Sequence, residues 1–325
     1  MGATMPGMLV DGEWKTERQW QNTDGQFVRS TTSFRDWISA DGSSGFPAEA
    51  GRYHLYIAWA CPWAHRTAIM RKLKGLDDVM GLSAVGSFMG EDGWAFYDEP
   101  GIIPDTINGT YYLREIYAKA DPDYTGRVTT PVLWDKETGT IVNNESREII
   151  RMLDTEFGES ATTDANFLPE NLRDDIDATI DAIYEPVNNG VYRSGFATTQ
   201  GAYEEAVTDV FGALDHWEGV LSTSRYLCGD RITEADWCLF PTLVRFDAVY
   251  YSHFKCNLRR IVDCPNLWGY SKDLYQQPGV GETVNMDHIK KHYYGSHESI
   301  NPTRIVPLGP VLDFTEPHGR ERLSS

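Results

Sequence analysis

The chain has 325 residues, enough for two domains of ordinary size with a sizeable core. Its 48 acidic against 29 basic residues give a net charge of −19, which excludes nucleic acid as a partner, because no basic stripe exists to neutralise phosphates. A soluble acidic enzyme and a saline cytoplasm both account for this bias.

No apolar run approaches the roughly 18 residues of a membrane span, so no membrane association is expected. The N-terminus lacks the basic flank and apolar core of a secretory signal, and Pro6 breaks the myristoylation pattern. Five scattered cysteines with no CxxC pair make a poor disulfide framework and predict no metal site. The expected setting is reducing and cytoplasmic.

Residues 1–50 are polar, with isolated aromatics (Trp14, Trp20, Phe27, Phe34, Trp37), and are expected to form an extended arm over the body. The pattern then predicts a strand over 53–58, a helix over 63–74 and a strand over 79–85. A long irregular insertion follows at 86–126, punctuated by Gly and Pro, with a helix over 111–120 inside it; connections of that length are often functional. Two short strands, 128–134 and 140–142, flank a Lys-Glu-Thr-Gly turn as a hairpin. Asn143-Asn-Glu-Ser146 opens a helix carrying Ile149, Ile150, Leu153 and Phe157.

The order βαβ then ββα over 51–157 is that of a thioredoxin-like α/β domain, in which the Thr130-Pro131 bond is expected to be cis. Beyond the linker at 158–169 the pattern is all-α over 170–279, with helices at 170–190, 200–222, 234–248 and 265–276. There Thr233 and Asp236 form a capping box with Asp in place of Glu. From about Val280 to residue 325 the chain is expected to be an irregular tail packed back on the body.

Cys61 stands between a strand and a helix, with Pro62 at the first helical position. Unpaired N–H groups and the dipole at a helix N-terminus favour an anion, so a thiolate is favoured there. A buried, inert thiol is the commoner fate of free cysteine. That fate is assigned to Cys228, Cys238 and Cys264, while Cys256 stays open. Dithiol oxidoreductases carry a resolving cysteine where this chain has Ala64, so the mixed disulfide of a lone thiolate needs an outside thiol, glutathione being the obvious one. A thiolate is also better suited to attack sulfur than to activate glutathione by donating to it. His65 and Arg66 divide between tuning the thiolate and simple packing.

Asn144-Glu145-Ser146 is by itself an ordinary helix cap. The same N–H groups and the Ser146 hydroxyl can bind a carboxylate, and Glu145 can accept from an α-ammonium, which suits a γ-glutamyl head.

The halves together, with the Gly229-Asp230-x-x-Thr233-x-Ala235-Asp236 cap, resemble a cytosolic glutathione transferase. More narrowly, Cys61-Pro-Trp-Ala-His-Arg66, Asp92-Gly-Trp94, Tyr124-Thr-Gly-Arg127, Ile141-Val-Asn-Asn-Glu-Ser146 and His253-Phe-Lys-Cys256 resemble the glutathionyl-hydroquinone reductases, the xi class. The likeness runs from about residue 8 to about 310. It implies reduction of S-glutathionyl-hydroquinones with glutathione as co-substrate, with Cys61 as nucleophile. It also implies glutathione binding by Trp94, Arg127, the backbone of Thr130, Glu145 and Ser146. Tyr192, Tyr250 and Tyr293 match tyrosines that hold the quinol oxygens in that family, and the resemblance also implies a homodimer. Thr130 departs from the valine usual in the family. Two other readings use the same scaffold. A general thioltransferase or dehydroascorbate reductase would share the Cys61 chemistry, and a non-catalytic carrier of aromatic ligands would have an unperturbed thiol.

Overall fold

The computed structural model describes residues 7–16 and 24–323; Trp20 lies outside them. The chain divides into two compact units. Among the described residues the first comprises 7–16, 30–165 and 282–305, the second 24–29, 166–281 and 306–323.

The first unit is built on strand β3 (Tyr53–Ala58), all six residues of which are buried. It is an interior strand of the four-stranded sheet, between a parallel neighbour, β4 (Gly81–Val85), and an antiparallel one, β5 (Val132–Asp135). The last strand, β6 (Thr140–Asn143), pairs with β5 across the expected turn, where Gly139 adopts φ +68°. Strand β5 starts four residues later than the sequence pattern suggests, since residues 128–131 lead into the cis Thr130-Pro131 bond. Helices α1 (Pro62–Leu73) and α3 (Ser146–Thr155) pack on each other, and α2 (Leu113–Ala120) packs against β6. The expected thioredoxin-like order is therefore present.

Residues 86–126 are not a loose loop. Trp94, Phe96, Leu113, Ile116, Tyr117 and Tyr124 join Tyr56, Val132 and Trp134 of the sheet in one buried cluster, against which Cys61 also packs. Both flanks of the chain hold this segment. A short N-terminal hairpin, β1 (Met8–Val10) with β2 (Glu13–Lys15), exchanges two backbone bonds between Leu9 and Gly126, and the Trp14 Nε1 donates to the Glu91 carbonyl. At the other end, the region expected to be an irregular tail contains an 11-residue helix, α9 (Met286–Ser296), whose Asn285 cap accepts from the His288 N–H. That helix folds with the first unit, and its buried positions (His288, Ile289, His292, Tyr293, Tyr294 and Ser296) include one aliphatic residue, a mix that gives a weak apolar signature in sequence.

The second unit is helical. Helix α4 (Arg173–Ile183) passes through a π-turn (Tyr184–Asn189) into α5 (Gly190–Gly195), so the helix expected to stop at 190 runs on to 195. Pro186 lies in the π-turn, where a missing N–H is more easily accommodated than in a regular α-helix. Helix α6 (Gln200–Val220) follows, then α7 (Glu234–Arg245), which ends in a second π-turn (Phe246–Tyr250), and α8 (Pro265–Tyr275). The Thr233–Asp236 capping box forms as expected, the Asp236 carboxylate accepting from the Thr233 N–H at 2.7 Å and from the Tyr270 hydroxyl at 2.7 Å. Buried Arg320 donates to the carbonyls of Leu221, Ser224 and Arg225, satisfying acceptors past the end of α6.

One polar side chain interrupts the core of the first unit. His54 in β3 is 2% exposed and bonds Ser83 through Nε2 at 2.8 Å. A Cβ on its register partner Gly81 would sit 2.4 Å from the imidazole Nδ1, so only glycine leaves room for the ring. Burial lowers its pKa from 6.5 to about 4. The unfolded chain therefore takes up this proton below pH 6.5 while the folded chain does not until about pH 4, so stability is lost as pH falls through that window. Urea denaturation of the wild type should show a pH-dependent loss of about 2–3 kcal/mol in this window, beyond that of His54→Gln. Equal pH slopes in the two proteins would refute the assignment.

Candidate active site

Cys61 is the N-cap of α1. Its backbone is extended (φ −76°, ψ 121°), Pro62 occupies the first helical position, and Sγ accepts from the Ala64 N–H at 3.5 Å. The sulfur thus takes the place that an oxygen usually holds at a helix cap. Sγ also lies 3.4 Å from the Thr130 carbonyl oxygen, to which the thiol can donate. The strand-to-helix turn and the cis-proline turn therefore meet at the thiol. Cys61 is half-buried.

The other cysteines differ. Cys256, left open by sequence, is fully buried, and burial pushes its thiol up to about 12. Burial likewise raises the thiols of Cys228 and Cys264, and Cys238 is wholly enclosed in α7.

Glu145, rather than Asn144 or Ser146, is the N-cap of α3. Its Oε1 accepts from the Arg147 N–H at 3.3 Å and its Oε2 from the Thr32 hydroxyl at 3.3 Å, while its own N–H donates to Asn143 Oδ1 at 2.7 Å. Ser146 is the first residue of α3, 2% exposed, and its Oγ accepts from Arg66 Nη1 at 3.3 Å. Arg66 is buried too, so it ties the start of α3 to α1, a packing role. His65 is 1% exposed and its Nε2 is 2.8 Å from Thr283 Oγ1, so it also joins elements of the first unit.

Trp94 is buried in the cluster of the insertion, stacked at 4.7 Å and 27° on His292 of α9. The Arg127 carbonyl accepts from the Tyr124 hydroxyl at 3.1 Å, next to the Gly126 strand bond to Leu9. Tyr293 lies beside His292 on α9, 1% exposed, with its ring edge-on to His297 at 5.5 Å. In the second unit, Tyr192 of α5 and Tyr250 of the π-turn approach to 6.0 Å, both against Phe254, and the Arg29 guanidinium lies over the Tyr192 ring at 5.1 Å.

His292 was invisible to sequence reasoning, because a histidine in a stretch expected to be irregular gives no periodic signal. A cavity of about 570 Å³ is lined by Phe88, Tyr97, Tyr111, Tyr112 and Arg304 among others, but by neither Cys61 nor any of the residues expected at the site. Among the described residues no cluster of His, Cys, Asp or Glu could hold a metal ion, and no helix is long and apolar enough to cross a membrane.

The glutathione S-transferase N-terminal domain family matches residues 60–156 and the glutathione S-transferase C-terminal domain family residues 200–273. The chain is 51% identical to the glutathionyl-hydroquinone reductase YqjG of Escherichia coli K12, over 97% of this chain and 98% of that protein. It is 52% identical to the glutathionyl-hydroquinone reductase PcpF of Sphingobium chlorophenolicum, over 94% and 96%. Among solved structures, an Xi-class transferase from Natrialba magadii matches with a TM-score of 0.94 and 54% identity over 98% of each chain. Glutathione-bound YqjG matches with a TM-score of 0.90 and 50% identity, over 97% of this chain and 99% of that one. The fold is that of a cytosolic glutathione transferase. Within that class the chain belongs to the glutathionyl-hydroquinone reductase family, the Xi glutathione transferases, as its motifs indicated.

One local feature departs from good packing. Thr130 Oγ1 is buried with no hydrogen-bond partner, a state that costs about 1–3 kcal/mol. Thr130→Val keeps the shape and removes the orphan, so it should raise the stability of the ligand-free protein by about 1 kcal/mol in chemical denaturation. Destabilisation would show that the hydroxyl is satisfied after all.

Proposed function

We propose that this protein reduces S-glutathionyl-hydroquinones to hydroquinones, with glutathione as co-substrate and Cys61 as nucleophile. The observation that carries the reading is the placement of one sulfur at the cap of α1, with Ala64 rather than a second cysteine one turn on, in a chain of this family. The Cys61 thiolate attacks the glutathionyl sulfur of the conjugate. A sulfur–sulfur bond forms, the sulfur–aryl bond breaks, and the aryl carbon takes up a proton to leave as hydroquinone. A second glutathione thiolate then attacks the mixed disulfide, releasing glutathione disulfide and restoring the Cys61 thiolate. The glutathionyl group is oxidised to the disulfide level and the ring is reduced, so no other redox partner is needed.

Several groups support glutathione at this thiol. The N-terminal end of α3, with the Ser146 hydroxyl, suits the γ-glutamyl carboxylate. Glu145, fixed by Thr32 and by its own helix, retains acceptor capacity for the α-ammonium. The Thr130 backbone precedes a cis proline, next to the sulfur, and is assigned to the cysteinyl amide. Arg127 suits the glycyl carboxylate, and Trp94 offers a flat wall. Tyr192, Tyr250 and Tyr293 are assigned to the quinol, because a phenol donates a hydrogen bond while its ring packs on another ring. The chain is further assigned to the cytoplasm and to a homodimer, as in the expectations for its family.

Cys61→Ala should abolish turnover while leaving glutathione affinity within about threefold. Intact-mass analysis of the wild type, mixed with a glutathione conjugate of menadiol, should show one glutathione-sized adduct that is missing from the variant. A near-native rate in Cys61→Ala would sink the mechanism. Tyr293→Phe should lower kcat/KM for the conjugate about tenfold, the loss of one hydrogen bond, and leave reduction of a small glutathione-mixed disulfide within about twofold. Equal loss on both substrates would remove Tyr293 from the quinol site. Activity on dehydroascorbate or small disulfides far above that on the aromatic conjugate would favour the thioltransferase reading instead.

A further inference from the structure

We infer that His292 is a positioning residue for the glutathione site, setting the plane of Trp94 from the C-terminal helix α9. The inference rests on the assignment of Trp94 to glutathione. The imidazole lies 4.7 Å from the indole at 27°, within the range of favourable offset stacking. Both rings are almost fully buried, Trp94 at 6% and His292 at 7% exposed. Gly93, immediately before Trp94, adopts φ +80°, and the Trp94 carbonyl accepts from the Leu113 N–H at 2.9 Å, which fixes the backbone but not the turn of the indole about its side-chain bonds. The indole plane must therefore be set by what packs on it.

The ring that packs on it is itself held. His292 Nδ1 lies 3.1 Å from the Ser87 carbonyl oxygen, which can only accept, so Nδ1 carries the proton. Ser296, one turn along α9 and 3.3 Å from the same nitrogen, accepts from the Met89 N–H at 2.9 Å. A third bond on the same face joins His288 Nε2 to the Pro100 carbonyl at 2.7 Å. Helix α9 thus grips the insertion before and after Trp94, and His292 is the member of that face that reaches the indole. Tyr293 follows it directly in sequence, so one short helix carries both the support for the glutathione wall and a residue assigned to the quinol.

The stack can be removed while the hydrogen bond is kept, and the reverse. His292→Gln retains an amide donor for Ser87 but loses the ring. His292→Phe retains a ring but loses the donor. We expect His292→Gln to raise KM for glutathione about fivefold, as loss of an aromatic pair implies, with kcat within about twofold. His292→Phe should recover most of the loss. In a Trp94→Ala background, His292→Gln should add less than about twofold, because its effect runs through the indole. Thermal melts confirm that each variant is folded, and a melt that exposes an unfolded His292→Gln leaves the Phe variant and its double mutant to decide. Native KM in His292→Gln, or an effect that multiplies independently of Trp94→Ala, overturns the inference. If Trp94→Ala itself leaves KM for glutathione unchanged, it is the glutathione assignment of Trp94 that fails, whatever His292 does.

Discussion

Everything at this site depends on a helix that begins with sulfur. Helix N-termini present N–H groups that nothing within the helix can satisfy, and an oxygen side chain usually meets them. In this chain the Cys61 sulfur meets the Ala64 N–H instead, with Pro62 next to it removing one orphan donor and fixing the first helical φ. The cap is weak as a hydrogen bond, and that weakness matters chemically. A sulfur anion gains more from the helix dipole than a neutral thiol does, while the contact is easily exchanged when sulfur bonds to sulfur.

A cap of this kind works only if its surroundings hold still. The cis-proline turn brings the Thr130 carbonyl to 3.4 Å from Sγ, and the buried Arg66 joins α1 to Ser146 at the start of α3. Two helix N-termini are thereby referenced to each other through α1 and the sheet. The insertion adds a third reference. It has few regular elements of its own, and it is rigid because it is packed as core and gripped by chain segments remote in sequence, the β1–β2 hairpin at Gly126 and α9 at Ser87, Met89 and Pro100. An irregular segment pinned in this way can hold a side chain such as Trp94 with the precision usually reserved for strands and helices.

Features that depend on neighbouring residues were legible in the sequence. The 53–58 strand, the start of α1, the Lys136–Gly139 turn and the Thr233–Asp236 box each have their cause within a few positions. So did the candidate thiol, since its chemistry follows from the turn it ends. Features whose cause is tertiary were not legible. Helix α9 buries His288, Ile289, His292 and Tyr293, a face whose polar members become acceptable inside only because Pro100 and Ser87 supply carbonyls. The π-turns at 184–189 and 246–250 add residues per turn without any apolar period to announce them. Which residue of Asn144-Glu145-Ser146 caps α3 is also decided at a distance. Glu145 caps because Thr32, more than 100 residues away, holds its other oxygen.

The contrast among the cysteines shows why the reaction needs so little else. Cys256 is enclosed and its thiol is pushed up to about 12, so the neutral form persists at any physiological pH and the sulfur stays inert. Cys61 is half-exposed, capped by an N–H and next to a carbonyl that can receive its proton's hydrogen bond. A second cysteine at position 64 would have captured the mixed disulfide from within, giving a protein that exchanges electrons with other dithiols. Ala64 leaves that disulfide standing until an external thiol arrives. The absence of one sulfur atom in the first turn of α1 therefore makes the enzyme's second half-reaction depend on glutathione.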